Sequence, residues 1–550
     1  MPAVAAPSPD QRFEALAHRY QEELLKLEPE TATSLGDHRY DDRLDDDTQA
    51  GIERERAFNR SWLKQIPTRG LSAQNQVDAD IWRNGVESRL FELDSVRDAE
   101  WNPLVYNVGD AIYQLLARDF APLPERLQHV KARLLALPAV LAAARANLKN
   151  PPRIHTETAI QQNDGLISLI RDDLDSYVKQ APDMAPVLKP AREQAIQALQ
   201  AYGEWLKTDL LPRSHGDFRL GDARFRQKLR YTLGSDLSKD AIRERAWADI
   251  RANQATMYGL ALPLYRKWYP DQSIDDHKLV IRQVLHRLSD DHYTADTIVP
   301  QATQVLQQAT DFVRSHALLT LPDDPVKVQV MPEYQRGVAI ASCDAPGPLE
   351  VHGETFYNIS PPPADWPAAR VESFFRENNR YMLEDLTAHE AMPGHYVQLW
   401  HAHQCHDELR ALFESGVFVE GWAVYAEQVM AENGFGGPEE RLEQLKMRLR
   451  VAVNALLDQG IHTAGMTQQE AMALMMDEGF QEEGEAAGKW RRACLTSTQL
   501  STYFVGVTEM NDLRQAYMSR HPGTDLKTYH DLLLSFGSPA PRYVRRLLGL

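Results

Sequence analysis

Cysteine is nearly absent from this chain. Its three residues (Cys343, Cys405 and Cys494) are too few and too scattered to build a disulfide framework. Basic residues are also in short supply. Lys and Arg number 60 against 78 Asp and Glu, a formal net charge of -18, and nowhere do they gather into a stripe that would track a phosphate backbone. No nucleic-acid partner is expected, and the acidic excess reads as a solvated surface. Nor does any run approach the roughly 18 apolar residues that a membrane-crossing helix needs, so no membrane span is expected. Internal repeats and low-complexity tracts are missing too. Residues 1–11 are rich in Ala and Pro, without Lys and without a sustained apolar core, so they do not read as a signal peptide. They are expected to be a disordered stub, either a plain start or the remnant of a removed export signal. Localisation stays open between a soluble periplasmic and a soluble cytoplasmic protein, and oligomeric state stays open as well.

What the chain has in abundance is helical periodicity. Phe13, Leu16, Ala17, Tyr20, Leu24 and Leu27 recur at helical spacing, as do Leu127, Val130, Leu134, Leu137 and Leu141. Prolines at 122, 124, 151, 152, 182 and 186 punctuate the amphipathic stretches. Ser238-Lys239-Asp240-Ala241 reads as a capped helix start. The aspartates between Asp41 and Asp47 lack the spacing of a calcium loop and read as turn and cap chemistry. The texture changes after Leu321-Pro322. Val326, Val328 and Val330 alternate, Val338 to Ala341 is short and apolar, and Thr355 to Ile359 is β-branched and aromatic. These are expected strands of a small sheet, bounded by Pro346-Gly347-Pro348 and Pro361-Pro362-Pro363. The pattern predicts a mainly α fold, with a helical N-terminal lobe over 12–320 and a second lobe over 321–550 that contains the sheet.

One stretch in the second lobe carries chemistry: His389-Glu390-Ala391-Met392-Pro393-Gly394-His395. Two neutral imidazoles can hold Zn²⁺ while a neighbouring carboxylate takes a proton from activated water. Here the second His comes at i+6 rather than i+4, which on a straight helix leaves the side chains about 120° apart. Pro393-Gly394 offers a remedy, a local bulge that swings His395 back toward His389. A third ligand is needed. Glu420 is the candidate, because it stands in an apolar helical pattern with Trp422, Val424, Tyr425 and Val429, where an inward carboxylate needs a reason. Glu427, two turns further on, could orient a ligating His. The expected metal ligands are therefore His389, His395 and Glu420, with Glu390 as general base.

His-Glu-x-x-Pro-Gly-His followed by Glu-Gly-Trp-Ala-x-Tyr-x-Glu resembles the bacterial family catalogued as domain of unknown function 885, considered zincin-like metallopeptidases. The resemblance extends over roughly residues 12 to 548. It includes Pro29 to Gly36, Arg39 to Leu44, Asp458-Gln459-Gly460-Ile461-His462, Gly465-Met466-Thr467 and the Gln499, Tyr503, Gly506 segment. Glu-Gly-Trp-Ala is also similar to the element of gluzincin aminopeptidases whose Glu is the third zinc ligand. The resemblance implies a large multi-helical zincin-like metallopeptidase with the small sheet beside the metal-binding helix. It also implies an edge strand that pairs with an extended substrate, for which Gly353 to Asn358 is the candidate. The layout resembles channel-bearing oligopeptidases, which implies short peptides as substrates, and many relatives carry export signals.

Peptide hydrolysis also needs a donor for the tetrahedral oxyanion, and His462 and Tyr503 are the candidates. Gln499 is a candidate for holding substrate, and Arg448, Arg450 and Arg514 for binding a substrate carboxylate. His401, His403, Cys405 and His406 match no common ligand pattern and are expected on the surface. The function expected is zinc-dependent hydrolysis of short peptides, of oligopeptidase or carboxypeptidase type. The alternatives are hydrolysis of a non-peptide amide, or a helical binding scaffold without catalysis. The intact Glu390 argues against the scaffold.

Overall fold

A computed structural model describes residues 6–323, 326–331, 340–350, 353–362 and 366–550. The chain folds into two units. One comprises 1–219 with 346–353 and 407–413, and the other comprises 220–345, 354–406 and 414–550.

In the first unit, the helix Pro9–Leu27 starts on Ser8, whose side chain accepts from Gln11 N–H while Gln11 returns a bond to the Ser8 N–H. Residues 8–11 therefore belong to capped helix rather than to the expected stub. Phe13, Ala17, Tyr20 and Leu24 of this helix bury against Trp62, Trp82 and Val86. The excursion 407–413 joins the same core through Leu409 and through Arg410, which is paired at 2.8 Å with Asp78; both charges are almost wholly buried. The other excursion is held by His38, which bridges Asp41 and Glu350 at 2.8 Å each. A second core lies where Leu127, Val130, Leu134, Leu137 and Leu141 of the helix Leu123–Asn147 meet Leu188, Ala195 and Leu199 of the helix Ala185–Trp205. The aspartates near 41–47 serve as turn and cap groups, with Asp41 accepting from Thr33 and Asp46 from Thr48.

The lobe boundary expected at 320 falls instead at 219. The helix Lys239–Trp268, capped by Ser238, packs on the later helix Pro438–Ala464, where Arg448 holds Asp249 at 3.0 and 3.1 Å. Polar and apolar pairing distant in sequence set this boundary.

The second unit also contains the sheet. Strands β1 (Lys327–Val330), β2 (Ala341–Asp344) and β3 (Phe356–Ile359) lie in the order β1-β3-β2, with β1 parallel and β2 antiparallel to β3. Strand β2 starts later than expected, and of the stretch Val338 to Ala341 residues 338 and 339 lie outside the described ones, as does Pro363. The segment expected to form an open edge contains β3, which is the central strand and paired on both sides. Its Tyr357, Asn358 and Ile359 are buried, as a strand covered on both faces requires. Val326, Ala341, Tyr357 and Ile359 share one core with Ile298, Ala302, Ala309 and Val313 of the helix Ile298–Ser315.

Candidate metal centre

The helix Arg380–Glu390 opens on Asn379, whose Oδ1 accepts from the N–H groups of Tyr381 and Met382 at 3.0 and 3.1 Å. Asn379 Nδ2 donates to Glu443 Oε1 at 2.9 Å, so the start of the helix is anchored. Tyr357 of β3 meets Thr387 of this helix, hydroxyl to hydroxyl, at 3.0 Å, which sets the helix against the sheet.

The helix stops at Glu390. The N–H groups of Ala391 and Met392 both close onto Thr387 O, the Met392–Pro393 peptide is cis, and a new helix, His395–His403, starts directly afterwards. A bulge within one helix was expected, and the chain breaks into two helices instead. Pro393 has no N–H to continue the ladder, and Gly394 passes so close to the last turn that a Cβ would stand 1.7 Å from His389 O. Only glycine fits there. Trp422 Nε1 donates to Pro393 O at 2.9 Å and pins the corner.

This corner brings the two imidazoles together, edge to face, with ring centroids 4.8 Å apart. Glu420, from the helix Gly416–Glu432, points between them. Its Oε2 lies 3.7 Å from His389 Nε2 and 3.6 Å from His395 Nε2. Both distances are too long for hydrogen bonds. They approach the separation of two ligands on one ion, since donors about 2.0–2.1 Å from a tetrahedral Zn²⁺ lie about 3.3–3.4 Å apart. Glu390 joins the cluster: one ligand atom each from His389, Glu390 and His395 lie within 4.8 Å of one another. Glu390 Oε2 accepts the Cys343 N–H of β2 at 2.9 Å, so this carboxylate is held from the sheet side.

Glu427 Oε1 meets His389 Nδ1 at 2.6 Å, which directs Nε2 toward Glu420. Burial alone would lower the His389 pKa, but Glu420 and Glu427 outweigh it and hold the imidazole well above its usual range. Burial would raise Glu420, yet the two imidazoles hold its carboxyl well below the usual carboxylate range. For Glu427 burial prevails over His389 and moves the carboxyl up, and burial with the charge of Glu427 lifts Asp385 well up. Negative charge is thus concentrated on Glu420, where the two Nε2 atoms converge. An oxygen between two imidazole nitrogens, with no hydrogen bond to either, suits a divalent cation, and His389, His395 and Glu420 are the residues that could hold one.

Helix placement beneath the site depends on two glycines. Gly421 and Gly506 face each other where Gly416–Glu432 crosses Ser501–Arg520, and a Cβ on Gly421 would come within 2.5 Å of Gly506 Cα.

The remaining expected residues divide. Tyr503 lies on the helix Ser501–Arg520 one turn before Gly506, which meets Gly421 next to Glu420, and burial with the Glu420 charge raises its pKa. Its hydroxyl accepts from Arg492 Nη2 at 3.1 Å and Gln499 Nε2 at 3.3 Å, so its own hydrogen is available to another acceptor. His462 is committed elsewhere. Its Nε2 faces the carbonyl oxygens of Ala493 and Thr496 at 3.2 and 2.8 Å, its ring stacks on Phe225, and burial lowers its pKa. It ties the end of Pro438–Ala464 to the end of the helix Glu483–Leu495 and does not offer the centre a donor. Arg448, Arg450 and Arg514 are paired with Asp249, Glu485 and Glu432 respectively. His401 is not on the surface as expected: it is buried, with Nε2 2.9 Å from Thr320 O. Arg492 contacts the Tyr503 hydroxyl and Lys489 is buried nearby. They lie in the basic run Lys489-Trp490-Arg491-Arg492, which reads in sequence as a solvated helix face.

Fold and site together define a mainly helical protein with a two-histidine, carboxylate-rich cluster set against a small three-stranded sheet. The chain belongs to the family described as bacterial protein of unknown function (DUF885), matched over residues 29–548. It is similar to a solved protein of unknown function from Shewanella oneidensis, provisionally described as a lipoprotein. The two share 33% identity over 99% of this chain and 100% of that chain, with a TM-score of 0.84. A protein from Colwellia psychrerythraea, provisionally described in the same way, shares the fold at 17% identity, with 99% of each chain covered and a TM-score of 0.82. No curated protein matches the chain.

Proposed function

We propose that this protein is a zincin-like metallopeptidase that hydrolyses peptide bonds in short peptides. The observation that carries the reading is Glu420 Oε2, placed 3.6 and 3.7 Å from two imidazole Nε2 atoms while Glu427 holds the far nitrogen of one of them. His389, His395 and Glu420 would hold the metal, and the borderline N and O donor set favours zinc. A zinc ion there would polarise the scissile carbonyl and make water acidic enough to attack at neutral pH. Glu390, held at one oxygen by the Cys343 N–H, takes the proton of the attacking water and returns it to the leaving amine. Tyr503, kept protonated by burial and by Glu420, donates its free hydrogen to the developing oxyanion.

Substrate pairing is assigned to β2 rather than to the central β3. The Cys343 N–H points away from β3, toward Glu390, so the side of β2 that pairs with no strand among the described residues borders the centre. Among the described residues no helix is long and apolar enough to cross a membrane. The description of the Shewanella oneidensis protein as a lipoprotein supports export of this chain as well.

The test is a digest of a short-peptide library read by mass spectrometry, with zinc, with chelator, and with zinc restored. Cleavage that disappears with chelator and returns with zinc is expected. Cleavage indifferent to chelator, or none with stoichiometric zinc, overturns the reading.

A further inference from the structure

Behind Tyr503 the helix Glu483–Leu495 carries Lys489 and Arg492, neither of which is paired with an anion among the described residues. Lys489 is only 7% exposed, yet among the described residues its ammonium has no carboxylate within ion-pair distance. The guanidinium of Arg492, one turn on and on the same face, bonds the neutral Gln499 Oε1 and Tyr503 hydroxyl, each at 3.1 Å, and among the described residues no carboxylate. The nearby anions are occupied. Glu485 is paired with Arg450, and Glu420 lies between the two imidazoles. Burial and the Arg450 charge accordingly pull the Lys489 ammonium well below its usual range, with Arg492 pulling in the same direction and Glu485 and Glu420 opposing. A desolvated lysine without a partner tends toward its neutral form, and a carboxylate arriving from outside would restore its charge.

We propose that Lys489 and Arg492 form the subsite for a carboxylate of the substrate, so that the centre accepts peptides by a free C-terminal carboxylate. The proposal rests on the peptidase reading, and the geometry supports it twice. The Tyr503 hydroxyl is in contact with Arg492, and Tyr503 lies one turn before Gly506, which meets Gly421 next to Glu420, so the subsite lies on the side of the centre that this crossing borders. Two cationic donors also suit the two oxygens of a carboxylate, whereas an amide offers them a single acceptor.

Binding is measured with the full chain stripped of metal, so that nothing is cut. The probes are a fluorescent pentapeptide with a free C-terminus and its C-terminally amidated twin, read by anisotropy. The free acid is expected to bind about 10- to 100-fold more tightly than the amide. Lys489→Met and Arg492→Gln should each remove most of that difference, weakening binding of the acid far more than that of the amide, while Lys489→Arg keeps it. Thermal melts identify any variant that fails to fold; should Lys489→Met fail, Arg492→Gln and Lys489→Arg carry the test. Equal binding of acid and amide, or a preference that survives Arg492→Gln, overturns the subsite. Digestion of both probes with zinc separates the two ideas. An acid preference without any cleavage defeats the peptidase reading and leaves the subsite, whereas equal cleavage of acid and amide defeats the subsite and leaves the peptidase.

Discussion

Glu390 accepts a backbone hydrogen bond from the sheet, whereas Glu420 lies between two imidazole nitrogens and bonds to neither. The same substitution should therefore have different consequences at the two positions. Glu390→Gln keeps size and polarity but cannot accept a proton. Turnover should fall roughly 10²–10⁴-fold while zinc content stays near one per chain. Glu420→Gln would remove the proposed anionic ligand, so zinc content should fall and added zinc should partly restore activity. Activity and bound metal are measured against zinc concentration for both. Rescue of Glu390→Gln but not of Glu420→Gln would show that the two roles are reversed. On the proposed reading Glu427 acts through His389, which it meets at 2.6 Å, rather than on the metal. Its replacement by Gln should weaken zinc affinity about 10- to 100-fold without abolishing binding.

Between residues and whole chain, the elements decide whether the ligands converge. The helix carrying Glu420 is set by its crossing with Ser501–Arg520 at two glycines, and a Cβ on Gly506 would come within 2.3 Å of Val417 O and 2.5 Å of Gly421 Cα. Backbone cannot yield as a side-chain tip can. Gly506→Ala should therefore separate the helices, displace Glu420, and lower both the melting temperature and zinc affinity. Gly259→Ala is the contrast, since that glycine lies inside the helix Lys239–Trp268 with nothing within 4 Å of the added carbon. It should stabilise by roughly 0.5–1 kcal/mol and leave zinc binding alone. Unchanged zinc affinity in Gly506→Ala would mean that the crossing does not position Glu420. Sequence periodicity showed both helices but could not show that they touch at these two residues, because a close crossing depends on which faces meet.

At the scale of the molecule, stability should depend on pH through buried histidines. His530 accepts the Tyr425 hydroxyl at 2.9 Å and donates to Leu318 O at 2.8 Å, an arrangement that needs the neutral ring. Burial pushes its pKa down to about 4. The unfolded chain, with a histidine pKa near 6.5, binds the proton first as pH falls. The contribution of His530 is therefore complete above about pH 6.5 and is lost at about 1.4 kcal/mol per pH unit as pH falls toward 4. His38 in the other unit has the opposite sign. Burial lowers its pKa, but Asp41 and Glu350 outweigh that and raise it, so its contribution is present in acid and lost as pH rises through the folded pKa. Melts of the wild type and His530→Gln between pH 4.5 and 7.5 test the first effect. The variant should be less stable at pH 7 by roughly 1–3 kcal/mol, with the deficit shrinking in acid. A deficit that stays constant with pH would remove His530 from the acid response.

Much of this was legible in the residues. Helical periodicity, the Ser238 cap and the alternation from Val326 to Val330 reflect local rules, because each element buries a face of its own sequence. The spacing of His389, Glu390, His395 and Glu420 likewise singled out the cluster, since few other roles put those side chains in an apolar helical setting. Tertiary structure decided the rest. The helix break at Pro393-Gly394, the central place of β3, the commitment of His462 to two carbonyl oxygens and the isolation of Lys489 all depend on partners far away in sequence. Lys489 shows the physical reason most plainly. A lysine in a basic run looks solvated until the fold buries it, and only the three-dimensional arrangement shows that the neighbouring carboxylates are already engaged.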